Sequence, residues 1–226
     1  MESRITFKRP DGKEATGYHA AAATAGGAPG LVVIQEWWGL NDQIKGVCDK
    51  FAAAGFNVIA PDLYAGRVVP YHDSESATKE MTSLNFLDAV DQILRGAALK
   101  LKADGAGKVG VIGFCMGGAM TILAAARVSE FSAAVCFYGL PPAAAAGPAD
   151  VKIPLEGHFA LHDDWCTPQA VMEFAAGLRN AHKPAEFFSY EAHHGFMNEA
   201  RPDVYQARAA EESWARTTSF LKKHLG

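Results

Sequence analysis

Residues 110–125 read GVIGFCMGGAMTILAA. An apolar run of strand length, KVGVIGF (108–114), leads without a spacer into MGGAMTILAAAR (116–127), a run with helical character. Between them stands Cys115, with Gly113 two residues before it and Gly117 two after. Glycines at those two places let strand and helix pack closely around a sharp turn. The residue at the apex is then thrust out beyond the carboxyl end of the strand. The form is G-x-nucleophile-x-G between a strand and a helix, the context of a nucleophile elbow. A cysteine there sits at the positive end of a helix, which stabilises a thiolate. The Met116 N–H points the same way and can donate to a developing oxyanion. Taken alone, the same residues also describe a close-packed glycine turn around a buried cysteine.

Outward from this bend, apolar strand-length runs alternate with helical stretches. RITFKR (4–9) and ATGYHA (15–20) read as a hairpin around Asp11-Gly12. GLVVIQE (30–36) is a buried strand, followed by an amphipathic helix over 42–54 that Gly55 closes. NVIAPDLY (57–64) is the next strand, and one helix is expected through ATKEMTSLNFLDAVDQIL (77–94). After the elbow come a strand at SAAVCFYG (132–139), an Ala/Pro/Gly-rich loop, and a strand at PLEGHFALHD (154–163). A helix at 167–181, a strand at AEFFSYE (185–191) and a helix over 203–226 complete the chain. Repeated βα alternation with continuously apolar strands predicts an α/β fold: a mostly parallel central sheet with helices on both faces. No repeat or linker divides the sequence, so a single domain over 1–226 is expected.

Composition narrows the function classes. Hydrophobic residues are 49% and charged residues 20%, the balance of a globular protein with a substantial core. A net charge of −4 argues against a general nucleic-acid binder, which needs a basic face. No run approaches the length of a transmembrane helix, and the opening MESRITFKRPDG has no apolar signal core. A cytoplasmic monomer is therefore expected. The four cysteines, Cys48, Cys115, Cys136 and Cys166, form no C-x-x-C pair and suggest neither a disulfide framework nor a zinc ribbon. His158 and His162 stand too far apart on a strand to share a metal. GAGK (105–108) is too short for a phosphate loop, and GFCMGG is no dinucleotide fingerprint. No cofactor or metal is expected.

A nucleophile needs a base, and the base an orienting group. In folds built on such an elbow the partners follow in the order nucleophile, acid, histidine, each after a later strand. ALHDDWCTP (160–168) offers Asp163 and Asp164, and SYEAHHGF (189–196) offers His193 and His194. VVIQEWWGLND (32–42) ends its strand at Glu36-Trp37, where the second oxyanion N–H would originate. Glu36 beside two tryptophans should have a disturbed pKa if buried. Trp37 and Trp38 read equally as core or as site wall.

Together QEWWGLN, APDLYAG, GFCMGGA, FYG, HDDWCTP and EAHHGF, in that order from about residue 31 to 196, resemble the dienelactone hydrolase family. This is the cysteine-nucleophile branch of the α/β-hydrolase fold. The resemblance implies Cys115 as nucleophile, His194 as base and Asp164 as its orienting acid. It implies that Glu36 hydrogen-bonds the resting thiol and takes its proton when substrate binds, and that Met116 and Trp37 supply the oxyanion N–H groups. Substrate-binding positions are expected at Tyr138, Trp38, Asn198 and Arg201. Asn198 stands where the family pattern has an arginine for a substrate carboxylate, with Arg201 the nearest cation to compensate. The implied reaction opens an enol lactone, dienelactone, to maleylacetate through an acyl-cysteine. Other lactones or activated esters, or a non-catalytic thiol redox sensor on the same fold, are the alternatives.

Overall fold

The computed structural model describes residues 3–23 and 27–226. The first two residues of the opening segment read above therefore lie outside the described residues. Strands β1 (Arg4–Lys8) and β2 (Glu14–Ala20) form the expected antiparallel hairpin. β3 (Gly30–Ile34), β4 (Asn57–Pro61), β5 (Val109–Phe114), β6 (Phe131–Phe137), β7 (Leu155–His162) and β8 (Ala185–His193) follow. They join in one eight-stranded sheet of order β1-β2-β4-β3-β5-β6-β7-β8. β2 pairs antiparallel with β4, and β4 through β8 are parallel.

The continuous apolarity of β3 and β5 has its cause in the two covered faces. Val32, Ile34 and Val111 face one core cluster, whereas Leu31, Val33 and Ile112 face the other, the period-two alternation of a strand buried on both sides. Helices α1 (Asp42–Ala53) and α7 (Ala207–Leu225) cover the second face. Asn41 caps α1 by accepting the Ile44 N–H at 3.1 Å.

The helix expected over 77–94 is two. α2 (Ser74–Ser83) stops at Leu84, whose backbone is extended. Asn85 then accepts the Asp88 N–H at 3.1 Å and starts a new helix. This begins as α3 (Phe86–Asp88), widens to a π segment over Ala89–Leu94 and continues as α4 (Arg95–Ala103). Local capping by Asn85 overrides the apolar spacing that runs through it. With α5 (Met116–Arg127) and α6 (Pro168–Asn180), α4 covers the first face. Among the described residues no helix is long and apolar enough to cross a membrane.

Candidate active site

Cys115 joins β5 to α5 with φ 55° and ψ −117°, a conformation a side-chain-bearing residue adopts only when its surroundings impose it. Those surroundings are glycines in close approach. A Cβ on Gly113 would lie 2.1 Å from the Gly117 carbonyl oxygen, and one on Gly117 would lie 2.6 Å from those of Ile34 and Gln35. Two further glycines, which the motif alone did not single out, close the turn. A Cβ on Gly118 would meet the Phe137 oxygen at 2.3 Å, and one on Gly139 the Cys115 oxygen at 2.2 Å. The Cys115 N–H is held by the Phe137 carbonyl at 3.0 Å. Met116 opens α5, so its N–H has no acceptor within the helix. β3 lies beside β5, which brings the Trp37 backbone to the neighbouring strand end.

His194 follows β8 and is turned back by Gly195, at φ 84°. Its Nδ1 lies 2.7 Å from Asp163 Oδ2. The acid paired with the histidine is thus Asp163, and Asp164, expected from the family spacing, is solvent-exposed. The reason is the turn. Asp163 Oδ1 accepts the N–H groups of Trp165 at 2.8 Å and Cys166 at 2.9 Å, which fixes the carboxylate inward and sends the next side chain out. Burial would raise the Asp163 pKa, but its bond to His194, that ring's charge and the two N–H donors outweigh this and lower it. Burial would lower that of His194. The bonds to Asp163 and to Cys115, with their charges, outweigh it and lift the value from 6.5 to about 10. His193 is exposed.

Glu36 is buried, and burial raises its pKa against the pull of Asn198, His194, Tyr138 and Arg201. Its partners differ from those expected. Tyr138 donates to Oε1 at 3.2 Å and the Asn198 amide to Oε2 at 2.8 Å. Asn198 is likewise buried and engaged, so it does not present its amide to a substrate. Tyr71, which stands outside every motif read above, lies within hydrogen-bond distance of Asn198 and accepts from Asn41. Arg201 is paired with Asp203 at 2.6 Å, its guanidinium 5.8 Å from the Trp38 ring centre. Trp38 is core-like, packed with Val69 and Ala77. Tyr138 sets its ring edge to face against His194, with centroids 5.1 Å apart.

Cys48, Cys136 and Cys166 are buried, and burial raises each thiol's pKa, that of Cys136 to about 12. His158 is buried between Glu156 and Tyr190, bonded to both. Among the described residues no group of acids, histidines and cysteines is arranged to hold a metal ion.

A strained residue between a parallel strand and a helix, with an acid after β7 and a histidine after β8, defines an α/β-hydrolase. Within that class the chain belongs to the dienelactone hydrolase family, whose model matches residues 15–225. It is 34% identical over 236 aligned residues to "Protein usf" of Aquifex pyrophilus, covering 100% of both chains. It is 33% identical to a "Putative carboxymethylenebutenolidase" of Aquifex aeolicus, again over 100% of both. The crystal structure of a "Putative Dienelactone Hydrolase" from Klebsiella pneumoniae superposes with a TM-score of 0.87 at 28% identity, covering 97% of this chain and 98% of that one. The chain is accordingly a dienelactone hydrolase-like enzyme, a carboxylic ester hydrolase.

Proposed function

We propose that the chain hydrolyses an activated lactone or ester through an acyl-cysteine intermediate on Cys115. The observation that carries the reading is the bond from Asp163 to His194 Nδ1, which leaves Nε2 for the thiol at the apex of the elbow. With the thiol proton resident on His194, Sγ attacks the carbonyl carbon. The oxyanion is held by the N–H groups of Met116 and Trp37. The C–O bond to the leaving oxygen breaks, and that oxygen receives the proton from His194. The ring, now neutral, removes a proton from water, which attacks the thioester. Collapse expels the Cys115 thiolate and closes the cycle.

A thiolate is itself a good leaving group, so the first tetrahedral intermediate goes forward only when the substrate's own leaving group is stabilised. An enol lactone, whose opening releases an enolate, meets that condition, and an amide does not. Dienelactone, opened to maleylacetate, is the member of this class that the family membership favours. The test is to assay the purified protein against dienelactone isomers, simple aryl esters and the matching anilides. Turnover of lactones or esters without turnover of anilides is expected. No turnover of any ester or lactone would overturn the reading.

A further inference from the structure

Glu156 and His158 on β7 and Tyr190 on β8 are buried and stand outside the reaction set out above. His158 Nδ1 lies 2.8 Å from the Tyr190 hydroxyl. Its Nε2 lies 2.9 Å from Glu156 Oε1 and 3.0 Å from Thr217 Oγ1 of α7. Arg216, also on α7, donates to the Tyr190 hydroxyl at 2.8 Å. Burial outweighs the pull of Glu156 and lowers the His158 pKa, so the ring is neutral at pH 7. A neutral ring with a carboxylate at Nε2 carries its proton there and accepts at Nδ1. The donors then run one way, from Arg216 to Tyr190 to His158 to Glu156. The chain starts at a cation on the exposed side of α7 and ends at a buried carboxylate. The His158 ring is stacked between Phe137 and Phe188, with centroids 4.6 and 5.6 Å away.

Such a chain fixes strand register. β7 is buried on both faces from Leu155 to Ala160. Leu155 and Phe159 face the first core cluster, whereas Glu156, His158 and Ala160 alternate with them and face the side that α7 covers. A slip of one residue would turn both polar side chains into the apolar cluster. The β7–β8 ladder pairs Ala160 with Tyr190 and, past a bulge, His162 with His193. Between those two pairs β8 carries one residue more than β7. Asp163 and His194 come next, and they meet at 2.7 Å. The register set at His158 and Tyr190 is therefore the one that brings acid and base together. Two further contacts reach the same turn. The Tyr190 ring lies 5.3 Å from that of Phe196, which is fully buried two residues after His194. Tyr138, whose ring is set against His194, gives its N–H to the His158 carbonyl at 2.8 Å.

From this chain and its place in the ladder we infer that His158 and Tyr190 are positioning residues for the Asp163–His194 pair. They lock β8 and the turn over His194–Phe196 to β7, and so hold the His194 ring on Asp163. The inference rests on the reading of Asp163 and His194 as the pair that serves Cys115.

The test is a double-mutant cycle with a spectroscopic arm. Tyr190→Phe keeps the ring and removes the link between Arg216 and His158. It should lower kcat for an aryl ester by about 3- to 10-fold, the scale of one buried hydrogen bond, with KM changed by less than about twofold. In an Asp163→Asn background, where the pair is already broken, the same change should cost less than about twofold. A general loosening of the fold would instead cost the same in both backgrounds. Glu156→Gln keeps the acceptor oxygen and the volume but removes the charge that orients the chain. It should show the same pattern, and it replaces Tyr190→Phe if that variant does not fold. The proton NMR signal of His194 Nδ1–H, identified by its loss in Asp163→Asn, should shift or broaden in both variants. Equal losses in the two backgrounds, no loss at all, or an unchanged signal overturns the inference. If Asp163→Asn turns over like wild type, the reading beneath fails, and the inference then stands or falls on the NMR signal.

Discussion

Asp163 Oδ2 lies 2.7 Å from His194 Nδ1, and the same carboxylate is tied by its other oxygen to the backbone of its own turn. The acid is thereby fixed in position before it fixes the histidine. Asp163→Asn keeps the shape but removes the charge and favours the wrong tautomer of His194. It should lower kcat for an aryl ester by roughly 10²–10⁴-fold. Asp164→Asn, on the exposed side of the turn, should change kcat by less than about threefold. Steady-state kinetics of the two variants decide which aspartate acts.

Glu36 accepts from Tyr138 at Oε1 and from Asn198 at Oε2, and among the described residues no hydrogen bond joins it to Cys115. Alkylation of Cys115 by iodoacetamide should differ by less than about threefold between wild type and Glu36→Gln, within the range of a change away from the reacting pair. A change beyond tenfold would return the thiol to Glu36. Asn198→Ala leaves a buried carboxylate oxygen without its donor and should cost about 1–3 kcal/mol in chemical denaturation.

The raised pKa of His194, about 10 against an ordinary 6.5, makes stability depend on pH. A raised value means the folded state keeps a proton that the unfolded chain releases, so this stabilisation is full below about pH 6.5 and is lost as pH rises towards about 10. The stability difference between wild type and His194→Gln should therefore shrink steadily over that window. A difference that stays constant or grows with pH contradicts the ion-paired histidine.

Glycines separate the elbow from ordinary helix. Gly139→Ala would press a methyl group against the Cys115 carbonyl, 2.2 Å away, and should cost about 1–3 kcal/mol together with most of the activity. Gly46, in α1, has nothing within 4 Å of the added carbon, and Gly46→Ala should gain about 0.5–1 kcal/mol with activity unchanged. Denaturation midpoints and one activity assay check both.

Much of this was legible in order along the chain. The elbow was, because tight strand–helix packing demands glycine at Gly113 and Gly117, and a missing side chain is visible in sequence. The central strands β3 and β5 were, because burial on both faces leaves no polar alternation. The choice of Asp163 was not: it depends on which of two adjacent carboxylates accepts the turn's own N–H groups, and family spacing pointed to its neighbour. An aspartate whose side chain accepts from residues two and three ahead is a turn signal that could have found it. Asn85 could also have been found, as a capping residue inside an apolar period. The edge-to-face contact between Trp37 and Trp165 could not, because it joins loops 128 positions apart whose meeting is set by strand order. The engagement of Asn198 by Glu36 is equally a product of tertiary packing.

The most direct test is of Cys115 as the acylated residue. The protein is mixed with an activated aryl ester, quenched in acid during turnover, digested and read by mass spectrometry. The peptide holding Cys115 should carry the acyl group, in an amount matching the burst of released phenol, and Cys115→Ala should show neither burst nor turnover. Acylation at another residue, or wild-type turnover by Cys115→Ala, would contradict an acyl-cysteine mechanism at this elbow.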